Sequence, residues 1–446
     1  MNAFPQRFRT MLATVGRRIR PDREPHISQR NLIVANITTG SIGNLIGGNF
    51  FTGLLLLLNA GDGLIGFIAM LGYLGNMLQV FSPLLLERFQ QRKRFLIGVR
   101  IALYLLNVVT IGLIPFLPAS DGLRLGLMMC TLMLLHIINA LTSPGFQVWH
   151  IKSVPESDRA GYFTVNSILN GIVVYSVILG AGAFVDRFKA AGAELAGLTW
   201  LRAIAVGLCF VDVFLLTRIK EYPYERSGEV FRPVDLLVRP FREKKYLVSV
   251  ATACLWSFIA NLPGPYFSVY MLKELQVSYS FLNVVNMVNI PVLLFIAPLW
   301  RKRVHRVSWF GTLTLAVSLY LVHFFVLPFV TAQTLFLYPI AVIYALLMAP
   351  GINLVFANMT YINLPEKDQT NYISFYAAMN NLAAFLGTLA GRQFIAATAG
   401  LRIRVLGTEM GNKQYILLLT GTLMVVAVFV IRGLHRRSVK LSGQAA

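Results

Sequence analysis

Charged side chains are scarce in this chain, at 13% of 446 residues, whereas a soluble domain normally carries about 25%. They are missing from long apolar runs of about 20 to 29 residues, the length that crosses a bilayer core of roughly 30 Å. Hydrophobic residues make up 56% of the chain, and the mean hydropathy is +0.64. The composition therefore excludes a soluble globular protein and predicts a helical protein that spans a membrane several times.

Cysteine and acidic residues are also few. The three cysteines, Cys130, Cys209 and Cys254, each fall inside an apolar run, so they suggest neither a disulfide framework nor a metal or redox site. Asp and Glu number 19 against 40 Lys and Arg, which leaves a net charge of +21. No acidic residue falls at mid-depth of a predicted span, so the sequence gives no support for proton coupling through a buried carboxylate.

Catalytic motifs are missing as well. The sequence has no HExxH, no phosphate-binding loop and no nucleophile paired with a base. His150 lies beside Trp149 and is most simply interpreted as a residue of the membrane interface. We therefore expect no enzyme activity, no cofactor and no resident metal.

The chain is rich in apolar runs that predict twelve transmembrane helices. A longer polar connection divides them into six plus six, so we expect an all-α integral membrane protein with two pseudo-symmetric six-helix bundles. The predicted spans are 31–59, 63–86, 95–117, 124–149, 161–185, 199–217, 247–272, 278–299, 307–330, 334–361, 371–395 and 414–431. The expected segments are a basic N-terminal segment (1–30), the first bundle (31–217), a central cytoplasmic loop (218–246), the second bundle (247–431) and a cytoplasmic tail (432–446).

Placement of the basic residues predicts the orientation. With the N-terminus inside the cell, 30 of the 40 Lys and Arg fall in cytoplasmic tails and loops, nine fall outside, and Arg100 falls within the third span. This ratio agrees with the positive-inside rule, so we expect a plasma-membrane protein with both termini in the cytoplasm and no nucleic-acid partner. The arginine-rich N-terminal segment is either a basic helix on the anionic inner leaflet or a disordered tail.

An internal repeat supports two related halves. Residues 154–158 (VPESD) recur 210 positions later at 364–368 (LPEKD). The same offset relates Tyr162 to Tyr372 and Asn170 to Asn380. A duplicated membrane half of this size is typical of carriers that rock two bundles about a central site. Solute transport is therefore the leading hypothesis.

Asparagines within the predicted spans fall almost entirely in spans 1, 2, 4, 5, 7, 8, 10 and 11; Asn107 in span 3 is the exception. Because unpaired amides are costly in hydrocarbon, we expect them to line the bundle interior or a wet cavity. In span 4, polar residues recur at positions 136, 139, 143 and 147, which places them on one face. The candidate cavity residues are Asn44, Asn76, His136, Asn139, Gln147, Asn170, Trp256, Asn261, Tyr266, Asn289, Asn353, Tyr376 and Asn380.

Helix packing offers a second interpretation of the same residues. Asn and Ser side chains commonly join transmembrane helices without touching a ligand, and a structural role for His136 is equally consistent with the pattern. Arg100 and Asp212 are charges within predicted spans, and the sequence leaves open whether they snorkel or pair with each other. Gly387 and Gly391 form a GxxxG pattern in span 11, which predicts close helix packing.

The connection between spans 2 and 3 resembles a motif of the major facilitator superfamily, roughly G-x-x-x-D-R-x-G-R-K. Residues 83–93 keep Glu87 at the acidic position, followed by Arg88 and Arg92, whereas Pro83 and Gln90 replace both glycines. Twelve helices in two halves, with spans 3, 6, 9 and 12 at the periphery, are also similar to this family. The resemblance implies secondary transport by alternating access, with Glu87, Arg88 and Arg92 as a cytoplasmic gate.

We expect a carrier for a small neutral or polar solute, such as a sugar or nucleoside, because the predicted cavity carries no fixed charge. A coupling ion and the lipid bilayer are the other expected partners. An exporter of amphipathic drugs is a second hypothesis, since Trp256, Tyr266 and Tyr376 suit an aromatic ligand. A non-transporting sensor or a lipid scramblase with the same fold is a third.

The gate hypothesis predicts that Glu87→Ala reduces transport while membrane insertion is unchanged, because the substitution removes the acidic member of the motif. Transport rates in vesicles, normalised to the amount of inserted protein, measure the effect. Unchanged kinetics in the variant would argue that these residues serve only as a basic loop that sets the topology.

Overall fold

The structure is a computed structural model that describes residues 26–86, 88–154, 159–221, 239–360, 362–364, 369–405 and 408–443. The basic segment before residue 26, most of the central loop and Glu87 lie outside the described residues, so the hypotheses made for them stay predictions. Within the described part, the chain is almost entirely helical.

Twelve helical segments, labelled α1–α12, follow one another along the described chain. They are α1 (His26–Leu57), α2 (Asp62–Phe81), α3 (Lys93–Phe116), α4 (Asp121–Lys152), α5 (Arg159–Ala190), α6 (Glu194–Thr217), α7 (244–274), α8 (279–306), α9 (Trp309–Phe329), α10 (Leu337–Met359), α11 (Gln369–Ala397) and α12 (Asn412–Gly443). Ten of these, all except α7 and α8, are long and apolar enough to cross a membrane. A short antiparallel hairpin of β1 (Ile403–Val405) and β2 (Thr408–Met410) joins α11 to α12.

Helix α7 is broken where its prolines fall. Its first part, Lys244–Ala260, ends at Asn261, and the helix resumes at Tyr266–Val269 and continues as a π-helix over Tyr270–Glu274. Pro263 and Pro265 lack the N–H that would continue the ladder, and Gly264 between them adopts a φ of +44°. The break therefore arises from local sequence.

Helix α8 is a chain of short helical pieces. Its parts are Tyr279–Val284, the 3₁₀ turn Val285–Val288, Asn289–Pro291, the π turn Val292–Ile296, and Ala297–Arg306. Pro291 in the third piece has no backbone N–H to donate. The hydrogen-bond pattern is that of a 3₁₀ helix before this piece and that of a π-helix after it. Helices thus occur at each of the twelve predicted spans, and three of them are discontinuous: α7, α8 and α1, which is interrupted at Gly47.

The chain packs as two compact units. Unit 1 consists of residues 1–54 and 81–228, and unit 2 of residues 55–80 and 229–446. Buried side chains in unit 1 surround Leu96 and Tyr162, and those in unit 2 surround Leu313, Val317 and Val355. Helix α2 packs with unit 2 for most of its length, although the sequence assigns it to the first bundle. The division at residues 31–217 and 247–431 stays a prediction.

Helix α3 contains a π segment that is held by an arginine from α6. Residues Leu105–Thr110 form the π turn, which leaves backbone carbonyls without their usual partners. The Arg202 guanidinium on α6 is buried, and it donates a hydrogen bond of 2.8 Å to the carbonyl of Asn107. A charged side chain within the membrane thus satisfies a backbone group that the π turn exposes.

Helices α7 and α11 pack backbone to backbone, as the GxxxG pattern predicts. A Cβ atom at Gly387 would overlap the carbonyl oxygen of Phe258, and one at Gly391 would overlap that of Leu262. Two glycines one turn apart therefore allow a contact that no other residue permits.

We expect Gly391→Ala to lower the free energy of unfolding by about 1–3 kcal/mol, because the added methyl forces two backbones apart. Gly98→Ala on α3 is the matched control, since no atom lies within 4 Å of a Cβ at that position. The control should stabilise the protein by about 0.5–1 kcal/mol through helix propensity. Thermal unfolding in detergent measures both, and equal midpoints for the two variants would contradict the packing argument.

Candidate functional site

The polar residues of the spans form separate clusters within each unit. The first cluster surrounds Asp212 of α6, whose side chain is fully buried. Tyr104 donates a 2.6 Å hydrogen bond to one carboxylate oxygen, and Thr39 donates a 3.1 Å bond to the other. Arg100 Nε lies 3.5 Å from the same carboxylate. From the sequence, Arg100 and Asp212 either snorkel to the interface or pair with each other. In the structure they form a pair.

Arg100 also contacts an aromatic ring. Its guanidinium carbon lies 4.5 Å from the centroid of the Phe146 ring on α4. The cluster therefore joins α1, α3 and α6 through one charge pair and two hydroxyl donors, and α4 through the contact between Arg100 and the Phe146 ring. Sequence reasoning missed Thr39 and Tyr104, because one Thr and one Tyr in apolar helices show no periodic pattern.

A second cluster in unit 1 contains His150. Its Nε2 atom lies 2.6 Å from the Tyr162 hydroxyl on α5, and the two rings meet edge to face. Asn36 of α1 donates a 3.1 Å hydrogen bond to the side chain of Asn166 and lies 3.5 Å from the same histidine nitrogen. His150, interpreted from the sequence as an interfacial residue, thus joins three helices. Polar side chains in this cluster join helices, which is the second of the two interpretations of the polar residues in the spans.

The predicted cavity residues of unit 1 differ from these clusters in their exposure. The side chains of Asn44, Asn139 and Gln147 are exposed, and His136 and Asn170 are half-buried. The amide of Asn44 donates only to its own helix, at 2.8 Å to the carbonyl of residue 40. Exposed amides on membrane helices require water or another polar group, because hydrocarbon offers them no partner.

Unit 2 contains a chain of hydrogen bonds that brings Asn261 and Asn380 together. Ser257 donates a 2.5 Å hydrogen bond to Asn380, and the Asn261 amide donates a 2.7 Å bond to the Ser257 carbonyl. Tyr73 of α2 donates to the Asn261 side-chain oxygen. The sequence identified both asparagines but missed Tyr73 and Ser257.

The other predicted residues of unit 2 are not part of that chain of hydrogen bonds. Trp256 stacks on Phe356, with ring centroids 5.4 Å apart, and Tyr376 is buried in the same hydrophobic core. Asn353 on α10 is exposed, and Asn76 and Asn289 are half-buried. Their roles in binding stay predictions.

The start of α2 fits closely against α7 and α11. A Cβ atom at Gly66 would overlap the hydroxyl of Tyr266, whose ring is fully buried beside Ile395 and Ile416. One turn earlier, Arg392 of α11 donates a 3.0 Å hydrogen bond to the carbonyl of Gly63. Gly66 therefore allows α2 to dock on Tyr266, and the backbone carbonyl of Gly63 binds α11.

A shared lysine completes this contact. Lys413 at the start of α12 lies 2.8 Å from Asp62 and 2.5 Å from Glu274, and its side chain is only 7% exposed. We call the contact made by Asp62, Gly63 and Gly66 with Tyr266, Glu274, Arg392 and Lys413 the α2 latch. Sequence reasoning missed it, because its members come from four segments that are far apart in the chain.

Two of the three predicted gate residues lie within the described part of the chain. Arg88 is exposed, whereas Arg92 is 9% exposed and donates a 3.1 Å hydrogen bond to the carbonyl of Phe89. The neighbouring Lys93 contacts α6: its ammonium donates to the carbonyls of Thr217 and Ile219 at 2.9 and 2.6 Å. Their role as a gate stays a prediction.

Comparison with known proteins identifies the family. The sequence matches the family model described as Major Facilitator Superfamily over residues 32–388. The chain belongs to this superfamily. The resemblance and the all-α membrane fold predicted from the sequence are thereby confirmed, and the family is one of transporters.

Solved structures with the same fold include several transporters. A mutant of the nucleoside transporter NupG aligns with a TM-score of 0.69 at 11% identity, covering 91% of this chain and 99% of its own. A bacterial homologue of the iron transporter ferroportin, in an inward-facing state, gives 0.67 at 14% identity, covering 93% and 99%. A D-xylose-proton symporter gives 0.64 at 13% identity, covering 90% and 96%. At these identities the likeness shows the fold alone. A search of curated proteins by sequence gives no match.

The Asp212 cluster predicts a large stability effect. Asp212→Ala should lower the free energy of unfolding by about 3–5 kcal/mol, because it leaves the Arg100 charge without its buried partner. Asp121→Ala removes the partner of Arg124 in a more exposed pair and should cost about 1 kcal/mol or less. Chemical unfolding in detergent measures the free energy of unfolding of both variants.

The double variant Arg100→Leu/Asp212→Leu tests the cause. Removing both charges should cost less than Asp212→Ala alone, since no buried charge is then unpaired. A double variant that is less stable than the single one would show that the contacts, and not the charge balance, determine the effect.

Proposed function

We propose that the protein is a secondary carrier that moves a small neutral or polar solute across the plasma membrane by alternating access, with both termini in the cytoplasm. The observation that carries the proposal is a set of exposed, uncharged amides within membrane helices. Asn139 and Gln147 on α4 and Asn353 on α10 are exposed and belong to the predicted cavity set. Neutral hydrogen-bonding groups suit a ligand rich in hydroxyls or amides.

The charges within the helices of unit 1 have protein partners. Asp212 and Arg100 bind each other, and Arg202 donates to a backbone carbonyl. A fixed charge would be expected to face a strongly charged solute, and these three side chains are already engaged. Among the structural neighbours, a nucleoside transporter and a D-xylose symporter are named for neutral solutes and a ferroportin homologue for iron, so the proposal depends on the side chains of this chain and not on the neighbours.

The aromatic residues favour a polar solute over an amphipathic drug. Trp256 stacks within the core of unit 2, and Tyr266 and Tyr376 are buried. Side chains that fill a core are not available for an aromatic ligand. The drug-exporter hypothesis depended on these three residues, so it is the weaker of the two.

The α2 latch supplies a means of alternating access. The sequence assigns α2 to the first half, yet its start docks on α7, α11 and α12. Lys413 contacts both Asp62 and Glu274, so it keeps one carboxylate partner when α2 moves away. Opening on the predicted outer side therefore leaves the Lys413 ammonium paired with Glu274, whereas an unpaired buried charge would be costly.

Transport by the purified protein in liposomes tests the proposal. Uptake of labelled sugars and nucleosides is compared with efflux of a lipophilic dye. Asn139→Leu and Asn353→Leu should each reduce uptake of the solute about tenfold, the effect of one lost hydrogen bond. Asn358→Leu is the control, because the Asn358 amide donates to its own helix at the carbonyl of Leu354. Dye efflux without solute uptake, or equal loss in all three variants, would reject the assignment.

Locking the latch tests the mechanism in the same assay. In a background without native cysteines, a short thiol crosslinker between Gly63→Cys and Arg392→Cys should stop uptake, and cleavage should restore it. Phe324→Cys with Gly421→Cys is the matched pair, since a Cβ at Gly421 lies 3.2 Å from the Phe324 Cβ within unit 2. Crosslinking this control should leave uptake unchanged. Full uptake with the latch closed would exclude α2 release as a step.

A further inference from the structure

An apolar groove lies between α3 and α6 in unit 1. It encloses about 200 Å³ and has almost no polar surface. Its lining residues are Ile101, Tyr104, Leu105, Val108, Val109, Val206, Cys209, Phe210 and Val213. The groove is open on one side, and Leu105 and Phe210 at its edges are among the most exposed apolar residues of their helices.

Two polar contacts join the helices, one near each end of this groove. Near one end, Arg202 binds the carbonyl of Asn107 in the π turn; near the other, Asp212 binds Tyr104. These two residues of α6 are ten positions apart, which is about 15 Å along a helix. The extra residue of the π turn adds to the separation between the contacts. The groove is thus built into the packing of two helices.

Basic residues collect beyond the Asp212 end of the groove. Lys93 bridges the start of α3 and the end of α6 through the carbonyls of Thr217 and Ile219. Arg94 is exposed and lies seven residues before Ile101, hence on the same face of α3 and about 10 Å further along it. Arg218 is also exposed at the end of α6. One acidic group, Glu221, accepts from the backbone N–H of Lys93, so the net charge stays positive.

We infer that the groove holds one acyl chain of an anionic glycerophospholipid whose phosphate binds Lys93, Arg94 and Arg218. The spacing fits such a lipid, because the cationic groups lie at the end of the helices and the hydrocarbon site begins one to two turns deeper. Hydrocarbon fills an apolar groove in a membrane better than water does, and an empty groove loses the dispersion contacts of its lining. The inference does not depend on the transported solute.

Lipid retention after extraction tests the inference. The full chain is reconstituted in bilayers of equal parts phosphatidylglycerol and phosphatidylcholine and then extracted in mild detergent. Native mass spectrometry measures the mass of the protein with its retained lipids. The natural sequence should retain one phosphatidylglycerol per chain. Val206→Trp, which fills the groove, should abolish retention, whereas Val211→Trp, which faces away from the groove on the same helix, should not. Leu105→Trp repeats the test from α3 if the first variant folds poorly.

Charge removal separates headgroup binding from simple apolar contact. Arg94→Ala should lower the preference for phosphatidylglycerol over phosphatidylcholine about fivefold, the effect of one basic residue near an anionic headgroup. Arg301→Ala, an exposed arginine at the end of α8, should leave the preference unchanged. Equal retention of both lipids by the natural sequence would overturn the inference. So would retention that survives both groove-filling variants, or a chain dimer that Val206→Trp dissociates.

Discussion

A polar group that enters hydrocarbon needs a partner, and where that partner lies on a neighbouring helix it determines how the two helices are joined. Asp212 shows the rule most fully, since it gathers a tyrosine, a threonine and an arginine from two other helices. The carbonyl exposed by the π turn of α3 meets the same requirement through Arg202. Each irregularity or charge in these helices is therefore also a point of attachment between them.

The same requirement explains which parts of the structure the sequence could predict. Length and hydropathy were sufficient for the twelve spans, because a membrane helix satisfies its backbone locally and needs no distant partner. The break in α7 was also predictable, since Pro263 and Pro265 act on their own backbone. Partners on neighbouring helices could not be predicted. Tyr73 and Ser257 complete the contacts of Asn261 and Asn380, yet neither stands out in an apolar segment.

The candidate site was predicted as a set of residue types, and the structure divides that set by environment. Asn139 and Asn353 are exposed and remain suited to a ligand, whereas Trp256 and Tyr376 contribute to a core. Helical periodicity shows which face a side chain occupies, but it does not show whether that face meets water or another helix. The packing of α2 with unit 2 was hidden for a related reason, because it depends on the space that Gly66 leaves for Tyr266 and on a bond from Arg392 to the backbone of Gly63.

The glycine contact between α7 and α11 restricts how unit 2 can deform. With the carbonyls of Phe258 and Leu262 seated on Gly387 and Gly391, shifting either helix by one residue would press a side chain onto a backbone oxygen. The first part of α7 must therefore travel with α11 as one rigid body. Any change in the direction of α7 is then concentrated in the non-helical residues 263–265, between that rigid body and the packing of Tyr266 against Ile395 and Ile416.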